Sequence, residues 1–213
     1  MIYSITRLQK QNRQIYGLPN DRLYSVEDLL YYNQKFLFRY IAELEEKKSD
    51  AIISLAVSLS WFIALVNRYH LDLESELWKH YAYKCPKCLE IPCQCQRGDE
   101  SPGQKTGRPP SLKPKNLRLW QEMFGKIYPQ EKINKINSRL LRSQDDLFYS
   151  YRFFAKERKK KYFREIERKS ADYFALLLRA FNACDWDLSK ILSKLFKNGC
   201  YVCHQTPCEC NFY

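Results

Sequence analysis

Four cysteines fall within eleven residues, Cys85, Cys88, Cys93 and Cys95, in the order C-x2-C-x4-C-x-C. The same order returns as Cys200, Cys203, Cys208 and Cys210, each displaced by 115 positions. Eleven residues cannot bury a core, so such a segment folds only if something cross-links it. Thiolate quartets suit a tetrahedral structural metal, and an opening C-x2-C pair is the usual knuckle. Adjacent C-x-C pairs make poor disulfides. The first residues, Met1 to Arg7, contain no apolar h-region, so a secretory signal is not expected and the thiols are expected to stay reduced in the cytoplasm. The expectation is one structural Zn2+ per quartet, with an iron–sulfur cluster as the alternative. A saturated four-sulfur shell leaves no open position for catalysis. The ninth cysteine, Cys184, has no partner in the pattern and is expected only to pack.

The displacement of 115 also carries Asn67 onto Asn182, Asp72 onto Asp187, Leu73 onto Leu188, Leu77 onto Leu192, Lys79 onto Lys194 and Pro92 onto Pro207. Farther upstream the register drifts. Ser25-Val26-Glu27-Asp28-Leu29 matches Ser143-Gln144-Asp145-Asp146-Leu147 at 118, and Ile15-Tyr16 matches Ile127-Tyr128 at 112, with Gln9 and Gln121 alongside. Both serine segments read as helix N-caps followed by a carboxylate. Residues 97–116 carry three glycines and four prolines and read as a basic linker. The chain therefore divides into a first repeat with its knuckle (1–96), the linker (97–116) and a second, more basic repeat with its knuckle (117–213).

Helical spacing dominates each repeat. Leu55, Leu59, Phe62 and Val66 share one face, and Phe174, Leu177 and Phe181 repeat it. A short helix capped by Asp72 or Asp187 follows, ending in the second repeat at Asn198-Gly199. No segment alternates at period two. The fold class predicted is all-α: two tandem helical bundles in an intramolecular pseudo-dimer, each closed by a four-cysteine zinc knuckle. Residues 51–66 form the longest uncharged run, but they are short of the ~20 apolar residues of a spanning helix and read as a buried core helix. No membrane association is expected.

The stretch Trp61-Phe62-Ile63-Ala64-Leu65-Val66-Asn67-Arg68, then His70-Leu71-Asp72-Leu73 and a short helix with Trp78, resembles the MazG-like nucleotide pyrophosphohydrolases. The cysteine segment resembles the tail of one branch of that family, and Asn182 with Asp185-Trp186-Asp187-Leu188 resembles a more diverged copy. The resemblance implies a helical bundle that holds Mg2+ through E-x-x-E and E-x-x-D motifs and directs water onto a triphosphate. At the position of the second motif this chain has Ser54 and Val57, and in the second repeat Lys169 and Asp172. Tyr32 to Phe36 and Ser150 to Phe154, on the preceding helices, contain no acid. A valine and a lysine cannot bind Mg2+, so the expectation is a pseudoenzyme that retains only Asp172. Glu43, Glu45, Glu46 and Asp50 read as a solvated helix end. Two alternatives stand beside the pseudoenzyme. One is an active Mg2+-dependent hydrolase using Asp172 with Glu165. The other is a nucleotide sensor in which Lys169 and Arg152 clamp phosphate directly.

The chain carries a net charge of +12, distributed as +2 over residues 1–97 and +10 over residues 98–213. The densest stretch holds Arg152, Lys156, Arg158, Lys159, Lys160, Lys161, Arg164, Arg168 and Lys169, interleaved with Tyr151, Phe153, Phe154, Tyr162 and Phe163. Cations neutralise phosphates and aromatic faces stack on bases, so nucleic acid is the expected partner, with another polyanion such as an acidic protein as the alternative. Gly107-Arg108-Pro109 resembles the core of a minor-groove hook but lacks a flanking basic residue.

Overall fold

A computed structural model of the chain describes residues 3–95, 112–129 and 131–210. Most of the expected linker, with Gly107-Arg108-Pro109, lies outside the described residues. Among the described residues there are eight helices and no strand. They are α1 (Ile5–Leu23), α2 (Val26–Glu45), α3 (Ala51–Arg68), α4 (Leu73–Tyr81), α5 (Leu117–Ile127), α6 (Ile133–Glu157), α7 (Lys160–Ala183) and α8 (Leu188–Leu195).

The helices form two compact units, each assembled from both sequence repeats. Unit 1 comprises Met1–Asp72 with Trp186–Tyr213, and unit 2 comprises Leu73–Asp185. In unit 1, α2 and α3 form a hairpin crossed by α1, and α8 packs beside α3. In unit 2, α6 and α7 form the hairpin, α5 crosses α7, and α4 packs on α7. The unit boundaries therefore fall at 72/73 and 185/186, whereas the sequence repeats meet in the stretch 97–116. The first repeat's short helix and cysteine segment complete a bundle built from the second repeat's long helices, and the reverse holds for α8 and its cysteines.

The apolar faces read from the sequence form the cores. Leu55, Leu59, Phe62 and Val66 are fully buried on α3, as are Phe174, Leu177 and Phe181 on α7. Helix α3 is the one described helix long and apolar enough to cross a membrane by length and composition, with mean hydropathy 1.7. Eleven of its eighteen residues are buried. Its buried hydroxyls are matched by neighbours: the Ser58 hydroxyl donates to the Asn33 carbonyl at 2.9 Å, and the Asn33 amide donates back to Ser58 Oγ at 3.0 Å. Asn12 donates to Ser60 Oγ at 3.0 Å. A polar ladder answered by α1 and α2 is how a core helix satisfies such groups.

Helix ends follow local chemistry in part. Ser25 caps α2 through a complete capping box with Asp28, whose carboxylate accepts the Ser25 backbone N–H at 2.8 Å. Asp187 caps α8 by accepting the Lys190 N–H at 3.0 Å. The expected cap at Ser143 is corrected: it lies inside α6, which begins ten residues earlier at Ile133. Ile136, Leu140 and Leu147 continue one buried face through that position, so the helix has no end there to cap. Helix α8 also stops earlier than expected, at Leu195, and Gly199 adopts its positive φ of 103° within the knuckle instead.

Candidate metal centres

The eight cysteines expected to bind metal form two quartets, Cys85, Cys88, Cys93, Cys95 and Cys200, Cys203, Cys208, Cys210, in each of which all four sulfurs lie within 4.8 Å of one another. Sγ separations are 3.7 Å for Cys85–Cys95 and 3.9 Å for Cys88–Cys93, and again 3.7 Å for Cys200–Cys210 and 3.9 Å for Cys203–Cys208. A tetrahedral ion with metal–sulfur bonds of about 2.3 Å sets its sulfurs about 3.8 Å apart. The quartets therefore fit one ion each, whereas a cluster's ligands must reach different iron atoms. All eight thiols are free of disulfides, and Cys184 stands outside both quartets, at the end of α7.

Backbone N–H groups favour the charged form of one sulfur in each quartet. Gln94 N–H points at Cys88 Sγ and Glu209 N–H at Cys203 Sγ, both at 3.4 Å. Burial raises the Cys88 thiol, but N–H groups of Glu90 and Gln94 outweigh it and bring the thiol to about 7. At Cys203 the N–H groups of Glu209 and Gln205 dominate and lower it to about 6. Cys93 and Cys208 are pushed up, chiefly by burial.

The two knuckles share their main backbone bonds. Cys85 N–H reaches the Glu90 carbonyl at 3.2 Å and Cys200 N–H the Gln205 carbonyl at 3.0 Å. Leu89 and His204 both have positive φ, 61° and 59°. Docking repeats as well: Cys93 N–H donates to the Ile127 carbonyl and Cys208 N–H to the Ile15 carbonyl, each at 2.7 Å. Tyr16 lies against Cys200 and Tyr128 against Cys85, and burial followed by these neighbouring groups raises both phenols. Gln9 and Asn67 exchange hydrogen bonds between α1 and α3, with Asn67 Nδ2 donating to the Gln9 carbonyl at 2.9 Å. Gln121 and Asn182 do the same between α5 and α7, at 2.7 Å. The sequence displays Gln9 and Gln121 as a weak match; their role appears only once the helices are packed.

The residual acids are separated. Asp172 accepts from the Tyr81 hydroxyl at 3.0 Å and pairs with Arg168 at 3.0 Å; burial raises its carboxyl, against the pull of these partners. Glu165 is exposed on α7. Glu43 is buried and accepts from Ser54 Oγ at 2.5 Å and Arg39 Nε at 2.7 Å, while Glu46 pairs with Lys48. Among the described residues, the cysteine quartets are the only groups of three or more His, Cys, Asp or Glu close enough to hold one ion.

The nine basic residues gather at the α6–α7 corner and down the first turns of α7. Arg158 turns the chain there in a left-handed conformation and lies over the Phe154 ring, and Lys159 pairs with Glu157. Lys161 sits 4.5 Å from the Tyr162 ring centroid, and Lys169 donates to the Asp146 carbonyl. Arg152, Lys156, Lys160 and Arg164 are exposed and have no ion-pair partner among the described residues. Phe153 stacks on Tyr162 at 5.7 Å and remains 47% exposed. Tyr151 is fully buried, so that ring belongs to the core and not to the surface.

Comparison of the chain with protein families, curated proteins and solved structures yields no match in any of the three.

Proposed function

We propose that the protein is a non-hydrolysing, zinc-stabilised helical scaffold of MazG-like descent that binds nucleic acid through the α6–α7 corner. The observation that carries this reading is the set Arg152, Lys156, Lys160 and Arg164, exposed and without an ion-pair partner among the described residues, beside the exposed Phe153 ring that stacks on half-buried Tyr162. Free cations interleaved with an accessible ring supply phosphate neutralisation and a stacking face together. The corresponding corner of unit 1, between Glu45 and Ala51, is mixed in charge, with Glu45, Glu46 and Asp50 beside Lys47 and Lys48, and Lys48 is paired with Glu46. Zinc is the preferred ion because an all-thiolate, single-ion quartet matches its ligand preference and has no redox requirement.

Hydrolysis is the weaker reading. Asp172 is held by Tyr81 and Arg168, Glu165 is exposed about two turns before it on α7, and the uncharged Asn33–Ser58 pair occupies the interior between α2 and α3. A phosphate clamp by Lys169 and Arg152 is weakened by the bond from Lys169 to the Asp146 carbonyl.

The test is anisotropy of a labelled single-stranded oligonucleotide across a salt series, with K156E/K160E/R164E as control. Affinity should fall by one to two orders of magnitude between about 50 and about 200 mM salt, as expected for roughly four neutralised phosphates. The triple variant should bind weakly and with a shallower slope. Salt-independent binding, or binding unchanged by the variant, overturns the proposal. Pyrophosphate release from nucleoside triphosphates with Mg2+ or Mn2+ would overturn the non-hydrolysing part alone.

A further inference from the structure

Unit 1 contains a cavity of about 330 Å³ that borders the second quartet, with Cys200, Cys208 and Cys210 in its lining, and extends well beyond it. One wall is aromatic: Tyr32 stacks on Trp61 at 4.6 Å, and Tyr24 meets both edge-on at 5.5 and 5.3 Å. The second knuckle forms another part of the lining, through Tyr201, Val202, Cys208 and Cys210. Tyr16, Ala64 and the exposed Lys35 also line the cavity. The size and the mainly apolar lining are those of a small-molecule site rather than a packing defect.

Unit 2 shows what kind of group this position accepts. Ala64 corresponds to Arg179 at a displacement of 115, and Tyr16 corresponds to Tyr128. Arg179 is buried, with its guanidinium 3.9 Å from the Tyr128 ring centroid and doubly bonded to Glu131. A flat, delocalised group from the chain itself therefore lies on that tyrosine in unit 2. In unit 1 the alanine withdraws the resident group, and Tyr16, edge-on to Phe196 at 6.1 Å, lines the cavity. The charge requirement is also inverted. Glu131 has Pro19 at its corresponding position, and the only cationic side chain lining the unit 1 cavity is Lys35, 5.7 Å from the Tyr32 ring centroid and without an ion-pair partner among the described residues; the lining thiols Cys200, Cys208 and Cys210 belong to the second quartet, whose charge a bound ion would partly offset.

We infer that unit 1 binds a small planar aromatic anion, its ring system received by Tyr16, Tyr32 and Trp61 and its negative group met by Lys35. Because the knuckle forms one wall, the site exists only while the second quartet holds its ion.

Calorimetric titration of the metal-loaded protein with naphthalene-2-sulfonate, 2-naphthol and 2-naphthylmethylammonium tests this, since the three share one ring and differ in charge. The expected result is one site per chain, with the sulfonate preferred over the ammonium by about fivefold or more, the scale of a partly exposed charge pair. A64R, which installs the unit 2 occupant, should abolish binding. K35E, at an exposed position, should reverse the order of sulfonate and ammonium, and this arm decides the matter if A64R fails to fold. No saturable site, several equivalent sites, binding that survives in a folded A64R, or an unchanged order in K35E would each overturn the inference.

Discussion

Cys93 and Ile127 are joined by a backbone hydrogen bond of 2.7 Å, and the bond pins a cysteine knuckle to the end of a helix contributed by the other sequence repeat. Cys208 and Ile15 make the same bond in the other unit. Metal binding should thus stabilise the bundles and not only the knuckles. Replacing Cys88 by Ser should remove one of two bound ions and lower Tm by roughly 10 °C, the scale of losing a few kcal/mol in a chain of this size. Elemental analysis and thermal unfolding check both numbers; a variant retaining two ions contradicts the quartet assignment.

Gly199 is held at φ 103°, and a Cβ there would lie 2.6 Å from Thr206 Oγ1 and 2.7 Å from the Gln205 carbonyl. G199A should therefore strain the second knuckle by about 1–3 kcal/mol. Chelator competition should show one ion becoming easier to extract while the other is unaffected.

Asn182 closes a two-way clasp with Gln121, and deleting it leaves the partly buried Gln121 carbonyl and amide without their partner. N182A should cost about 1–3 kcal/mol in urea unfolding, and N67A a similar amount through Gln9. Equal losses at the two positions would support the structural correspondence of the units.

Burial raises the Asp172 carboxyl above its ordinary value. The folded state then binds the proton more tightly than the unfolded chain. This group's contribution to stability is fully present below its unfolded pKa and is lost as pH rises through the folded one. D172N, which keeps an acceptor for Tyr81, should remove that dependence. The stability of the native protein minus that of D172N should grow as pH falls from neutral toward 4, measured by urea midpoints; a difference that shrinks would show that the Tyr81 and Arg168 contacts outweigh burial.

Phe153 is half-exposed and stacks only on Tyr162. If bases stack there, F153A should weaken single-strand binding by about tenfold, with thermal stability nearly unchanged and the salt slope retained.

Much of this was legible in the sequence because it depends on spacing alone. The cysteine quartets, the buried faces of α3 and α7, and the capping of α2 by Ser25 follow from local periodicity. The cap at Ser143 fails because a buried stripe through Ile136 and Leu140 outweighs one local hydrogen-bonding option. Tyr151 reads like its basic surroundings yet faces the core, since charge on neighbouring positions does not specify a helix face. The pairing of each knuckle with the other repeat's helices is a choice between two equally complementary partners, and identical contacts at Ile15 and Ile127 give the sequence no means of expressing it.

The division of the chain into an outer and an inner unit also implies an order of assembly. Residues Leu73–Asp185 are continuous, so during synthesis the inner bundle has all its helices, and the first quartet, before the final segment has emerged. The outer bundle must hold α1–α3 open until α8 and the second quartet arrive. Its last wall, and the cavity behind it, are completed only when the second quartet arrives.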